Sequence, residues 1–281
     1  MQQLSPLDAL FVYNETRNAP LHISPLMFYD VGTAPGGFVR FKDILQTFRS
    51  RLQRSPVFRR RLLTVPGNLG YPYWIEDEDF DLEFHVRHLA LPKPGDWRQF
   101  CILISRLHGR PLDMSRPPWE AYIIEGLDNI PGLPPGSFAM YMKIHHSAID
   151  GATGNQIIEA LHDLQPDAPP VNTPDLWQPE PAPSPATLAR RALRDLRRQP
   201  RQAVELGRQI LRARSRVRVG FDGQPFASHD VNEPLRFNSE VTPHRVFGGL
   251  HVELTQLKAI KDCVPGATLN DAVLALVGGA M

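Results

Sequence analysis

Apolar positions in the first 165 residues follow two different spacings. From Phe41 to Arg54 they recur at helical intervals, which predicts an amphipathic helix with one face turned to a core. From Phe138 to Ile144 a short apolar run rich in strand formers predicts a buried strand. A loop carrying Asp150 and Gly151 follows, then a helix expected from about Thr153 to Leu164 with Asp150 placed to cap it. Residues 1–165 therefore read as one mixed α/β unit.

The pattern changes after Gln165. Eight prolines between Pro166 and Pro185 fix φ repeatedly and remove backbone donors, so an extended connector is expected there. Two helical patterns with narrow apolar stripes follow, broken near Pro200, and residues 166–220 read as a connector plus a basic amphipathic arm. From 221 to 281 a second unit begins. Arg245 to Leu254 is strand-like, and Thr268-Leu269-Asn270-Asp271 leads into an apolar helix starting at Ala272. That helix lacks a charged last turn, so the second unit is expected to be incomplete in this chain.

Composition narrows the class. With 42% hydrophobic and 22% charged residues over 281 positions, the chain can bury one large core or two smaller ones, and disorder of the whole is excluded. The net charge of +1 conceals a local excess: eleven arginines lie between Arg190 and Arg218 against only Asp195 and Glu205. No aromatic residues interleave with them and the remainder is acidic, which argues against nucleic acid. A solvated linker, an anionic lipid surface and the phosphates of a coenzyme remain as readings of that arm. Cys101 and Cys263 match no metal or redox spacing. The start has no basic-then-apolar leader, and no segment approaches the roughly 18 apolar residues of a membrane span, so a cytoplasmic protein is expected.

The chemistry centres on His145 and His146 at the end of the predicted strand. Successive strand side chains point to opposite faces, so one histidine faces a site and the other faces packing. Histidine takes a hydroxyl proton near neutral pH without heavy tuning, which suits transfer of an acyl group to an alcohol. No Gly-x-Ser-x-Gly elbow is present and neither cysteine neighbours a histidine, so direct transfer is preferred over a covalent acyl-enzyme. Adjacent histidines on a strand diverge, which disfavours a metal site at His145, His146 and Asp150.

The run His145-His146-Ser147-Ala148-Ile149-Asp150-Gly151 after a strand resembles the active-site motif of the CoA-dependent acyltransferase superfamily. Four further stretches resemble the bacterial wax ester synthase/diacylglycerol acyltransferase family: Leu4 to Phe11 with Glu15 and Pro20-Leu21-His22; Pro56 to Leu62 with Trp74, Phe80-Asp81-Leu82 and His85 to His88; Pro111 to Glu120; and Asn270-Asp271. Pro118 stands where that family usually has leucine. The resemblance implies a chloramphenicol acetyltransferase-like α/β sandwich of two subdomains, with the second apparently truncated. It implies acyl-CoA as donor substrate, no cofactor, and diacylglycerol or a long-chain alcohol as acceptor. His146 would be the general base and His145 its packing support. Asp150 would hold the loop through a cap or salt bridge, Gly151 would let the backbone pass close to the channel, and Asn270 and Asp271 would buttress the site. Pro118 and Trp119 are substrate-channel candidates, although Trp119 is most simply a core aromatic. Backbone donors or Ser147 would stabilise the oxyanion. Peripheral contact with a membrane or lipid inclusions is the alternative use of the arginine arm, including in a relative that has lost activity.

Overall fold

A computed structural model describes residues 1–68, 70–149, 153–165, 177, 179, 181–196 and 241–280. Asp150, Gly151 and the arginine-rich stretch beyond Leu196 lie outside the described residues. The chain divides into two compact units, Met1–Arg245 and Val246–Met281.

The first unit begins with β1 (Gln2–Gln3) and α1 (Pro6–Asn14). Ser5 caps α1 by accepting from the Asp8 amide at 3.1 Å, and Pro6 fits the first turn, where its missing N–H would have no partner. Then come β2 (His22–Ile23), β3 (Leu26–Tyr29), α2 (Phe41–Arg51), β4 (Arg60–Leu63) and β5 (Tyr73–Glu76). They are followed by α3 (Leu82–His85), β6 (Val86–Ala90), α4 (Trp97–His108), β7 (Trp119–Glu125), β8 (Phe138–His145) and α5 (Thr153–Leu161). The α/β class expected from the sequence is the class observed.

β1, β5 and β4 form a small antiparallel sheet. The larger sheet is built on β8. β7 pairs antiparallel with one edge of it, β2 and β3 share the other edge, and β6 runs parallel to β7. Bonded on both edges, β8 is buried at every position. Phe138, Met140, Met142 and Ile144 point to one face and meet Trp119, Ala121 and Ile123 of β7, with Phe48 of α2 and Ile157 of α5 packed over them. Alternation sends Tyr141, Lys143 and His145 to the other face, together with Glu120 and Tyr122 of β7.

Trp119 is 1% exposed. Its indole N–H donates to the Phe58 carbonyl at 3.0 Å and its ring stacks on His85 at 4.7 Å. Sharing parity with Ala121 and Ile123, it is enclosed by core side chains among the described residues. Pro118 is buried beside it.

The arginine-rich stretch begins as α6 (Pro185–Leu196), and this helix packs on the small sheet. Leu188 and Ala192 are buried against Val65 and Tyr73, and the Tyr73 hydroxyl donates to Asp195 at 2.8 Å. Residues 245–254 show no ladder pairing among the described residues, although their pattern is strand-like. A strand needs a neighbouring strand to satisfy its backbone, whereas Gln256 reaches back to the Glu253 amide at 3.2 Å and starts α7 (Leu254–Asp262) at Leu254 itself. α8 (Leu269–Ala280) follows.

Replacing Trp119 by alanine should cost about 3–5 kcal/mol of stability, the range for truncating a buried aromatic, as read by guanidinium unfolding. A loss below about 1 kcal/mol would contradict the enclosed position described for this ring.

Candidate active site

β8 ends at His145, and a single 3₁₀ turn, His146–Ala148, carries the chain onward. Two backbone bonds hold this exit. The His145 N–H donates to the Pro118 carbonyl at 2.9 Å, and the His146 N–H donates to the Leu21 carbonyl at 2.9 Å. The two histidines are thereby tied to the segments entering β7 and β2.

His145 is fully buried. Its Nδ1 receives the Ser147 amide N–H at 3.1 Å and lies 2.7 Å from the Ser147 hydroxyl. A backbone N–H can only donate, so Nδ1 is an acceptor and the ring proton of the neutral form sits on Nε2. That Nε2 is 3.6 Å from Glu15 Oε2. It has no hydrogen bond of normal length among the described residues. The Ser147 hydroxyl thus lies beside a nitrogen whose lone pair already receives the Ser147 amide.

His146 is half-buried, and its ring lies flat on Phe11 of α1, with centroids 4.4 Å apart and planes 10° from parallel. Beside this turn is a cavity of about 250 Å³, bordered by Asp8, Val57, Arg60, Trp74, Ser147 and Ala148. Asp8 and Phe11 are three residues apart on α1 and so share a helix face. Asn270 and Asp271 belong to α8 in the second unit. There Asp271 serves as a cap: its carboxylate accepts the Thr268 N–H and hydroxyl, each at 2.7 Å, and these bonds hold its carboxyl below the usual range.

Behind the histidines lies a buried polar layer that the sequence reading missed. The His108 ring at the end of α4 is 2.8 Å from the Tyr141 hydroxyl and 3.3 Å from His22 Nε2. Lys143 is 0% exposed, donates to the Arg110 carbonyl and lies 3.9 Å from Glu120, which accepts the Tyr122 hydroxyl at 2.6 Å. Burial pushes the Lys143 ammonium down to about 8, with Glu120 opposing. Burial also pushes His22 down to about 3, aided by the nearby Lys143 charge and His108. His108 is lowered by burial and then by Lys143 and Arg245. The signal for this layer was the polar alternation Tyr141, Lys143, His145 inside an apolar run, but a strand pattern does not name its partners.

Residues 4–273 match the family described as wax ester synthase/diacylglycerol acyltransferase catalytic domain. A Mycobacterium tuberculosis H37Rv protein with the provisional name diacylglycerol O-acyltransferase is 32% identical over all of this chain and 54% of its own length. Another, from strain CDC 1551 and provisionally named likewise, is 34% identical over 99% of this chain and 59% of its own. The chain thus spans little more than half the length of these relatives. Among solved structures, a wax ester synthase/diacylglycerol acyltransferase from Marinobacter aquaeolei VT8 is 31% identical over 66% of this chain and 44% of its own, with a TM-score of 0.48.

The depressed imidazole of His22 makes stability dependent on acid. Unfolded, it binds a proton near its ordinary value of 6.5; folded, it stays neutral until about pH 3, so stability is full above 6.5 and is lost as pH falls toward 3. Melting temperatures between pH 6.5 and 5 should therefore fall, and His22→Asn should make that slope shallower. An unchanged slope in the variant would count against the assignment.

Proposed function

Since this chain belongs to the wax ester synthase/diacylglycerol acyltransferase catalytic-domain family, we propose that it is an acyl-CoA-dependent O-acyltransferase with His146 as general base. The family match across the His-His-x-x-x-Asp-Gly run carries this reading. The different surroundings of the two histidines support the choice between them: His145 is enclosed, with Nδ1 occupied by Ser147, while His146 is half-buried with its ring against Phe11.

In the proposed reaction, acyl-CoA and the alcohol are bound together. His146 takes the acceptor hydroxyl proton as the oxygen attacks the thioester carbonyl. The carbon–sulfur bond then breaks, the coenzyme thiolate leaves, and the imidazolium returns its proton to the sulfur. Atoms and charge balance without a metal, redox partner or covalent enzyme intermediate. The acceptor is diacylglycerol or a long-chain alcohol. Backbone N–H groups and the Ser147 hydroxyl are the proposed oxyanion donors. Asp150 and Gly151 keep their proposed loop-holding roles, and Asn270 and Asp271 their role in supporting the site.

Contact with an anionic lipid surface is proposed for the outer face of α6, where Arg190, Arg194 and Leu193 are exposed while Leu188 and Ala192 anchor the helix. No described helix is long and apolar enough to cross a membrane.

Ester formation from palmitoyl-CoA with hexadecanol or diolein is the direct test. His146→Ala should lower the rate at least about 10²-fold with circular dichroism unchanged, the scale expected for loss of a general base. Retained transfer in the folded variant would refute the base assignment. For the lipid contact, flotation with anionic vesicles at low salt should carry the protein upward and should weaken in a variant with Arg190→Ala and Arg194→Ala together. Equal flotation of both proteins would remove α6 from the contact.

A further inference from the structure

Glu15 lies immediately after α1 and caps its end, its own N–H donating to the Phe11 carbonyl at 3.2 Å. Its side chain is 14% exposed and its two oxygens serve different neighbours. Oε1 accepts the Leu21 N–H at 3.0 Å, and Leu21 in turn accepts the His146 N–H at 2.9 Å. Oε2 faces Nε2 of His145 at 3.6 Å. Because Nδ1 of His145 is filled by the Ser147 amide, the proton on Nε2 points at this carboxylate. Phe11, one turn earlier on the helix that Glu15 terminates, supplies the ring under His146. One carboxylate is thus connected to both histidines: to His145 directly and to His146 through Leu21.

We infer that Glu15 is a positioning residue for the histidine pair, holding His145 in the Nε2–H tautomer and fixing the Leu21 carbonyl that anchors the His146 backbone. The inference rests on His146 being the base, because only then does the placement of this turn govern the reaction. Glu15 has the right charge for the task. Burial would raise its carboxyl, but the His145 ring, the Leu21 N–H and the nearby His22 outweigh this and hold it below the usual carboxylate range. It is therefore an anion at neutral pH, and an anion favours a donor on the nitrogen facing it. Among the described residues, the charged and titratable groups around His145 are Glu15 from the end of α1, His22 from β2 and Lys143 two residues earlier on β8. Among these, only Glu15 presents an acceptor with negative charge.

Glu15→Gln separates these roles. An amide oxygen can still receive the Leu21 N–H, but the amide nitrogen then confronts His145 Nε2–H with a second donor. In the intact 281-residue chain, ring-nitrogen NMR should show wild-type His145 with its proton on Nε2, and Glu15→Gln should shift or broaden that signal while the melting temperature stays near wild type. Ester formation should fall at least about tenfold in kcat with KM unchanged within twofold, the split expected when an interaction made only in the transition state is weakened. A proton on Nδ1 in the wild type, an unchanged His145 signal in the variant, or kcat within twofold of wild type would each overturn the inference. Should the wild-type chain form no ester, the acyltransfer reading fails on its own, and the two NMR spectra still decide whether Glu15 sets the tautomer.

Discussion

The structure depends on β8 being bonded along both edges. β7 holds one side, β2 and β3 the other, and the eight residues between Phe138 and His145 are buried throughout. Its two faces have opposite chemistry: Phe138, Met140, Met142 and Ile144 complete an apolar core, while Tyr141, Lys143 and His145 enter a polar layer. A slip of one residue would put a lysine and a histidine into the core and expose methionines to the polar groups, so the register is strongly specified. The position of the histidine pair follows from that register.

The polar layer stabilises a geometry rather than supplying reactive groups. Lys143 is enclosed, with the Arg110 carbonyl and the Glu120 carboxylate as its neighbours. Its charge also discourages protonation of His22 and His108, which leaves neutral rings able to bond with one another and with Tyr141. Buried polar groups are costly unless satisfied, and satisfied ones restrict the arrangements the sheet can adopt. The apolar face has a matching anchor in Trp119, its ring near parallel to those of Phe48 and His85 and its indole N–H bonded to Phe58. Pro118, next to it, receives the His145 amide, so the core and the histidine turn are joined through adjacent residues of one segment.

Much of the local structure was legible in order along the chain. The Phe41 to Arg54 pattern became α2 with a short 3₁₀ extension, Leu52–Arg54, and the helix expected from Thr153 begins there and ends at Leu161. Both carry an apolar face at helical spacing, a signal that needs no distant partner. The strand-like stretch 245–254 has no ladder among the described residues, since a strand pattern alone does not supply a neighbour, and the Glu253–Gln256 cap starts a helix at Leu254. The arginine-rich stretch leaves a linker, a lipid surface and a coenzyme contact open as readings, and its described start, α6, buries Leu188 and Ala192 on the small sheet; a narrow stripe does not announce which surface will cover it.

By itself, the sequence determined the α/β class, the family and the histidine pair at a strand end; that His146 leaves the strand for a 3₁₀ turn, where strand alternation no longer sets its direction, it did not. Those are local or composition-like properties, set by side-chain periodicity and by motifs of fixed spacing. Only the tertiary structure decided which groups surround the pair: Phe11 beneath His146, Glu15 facing His145, Leu21 and Pro118 receiving their amides, and Trp119 closed inside the core. These contacts join residues from 27 to 135 positions apart on different elements, and no pattern within one segment encodes the identity of such a partner.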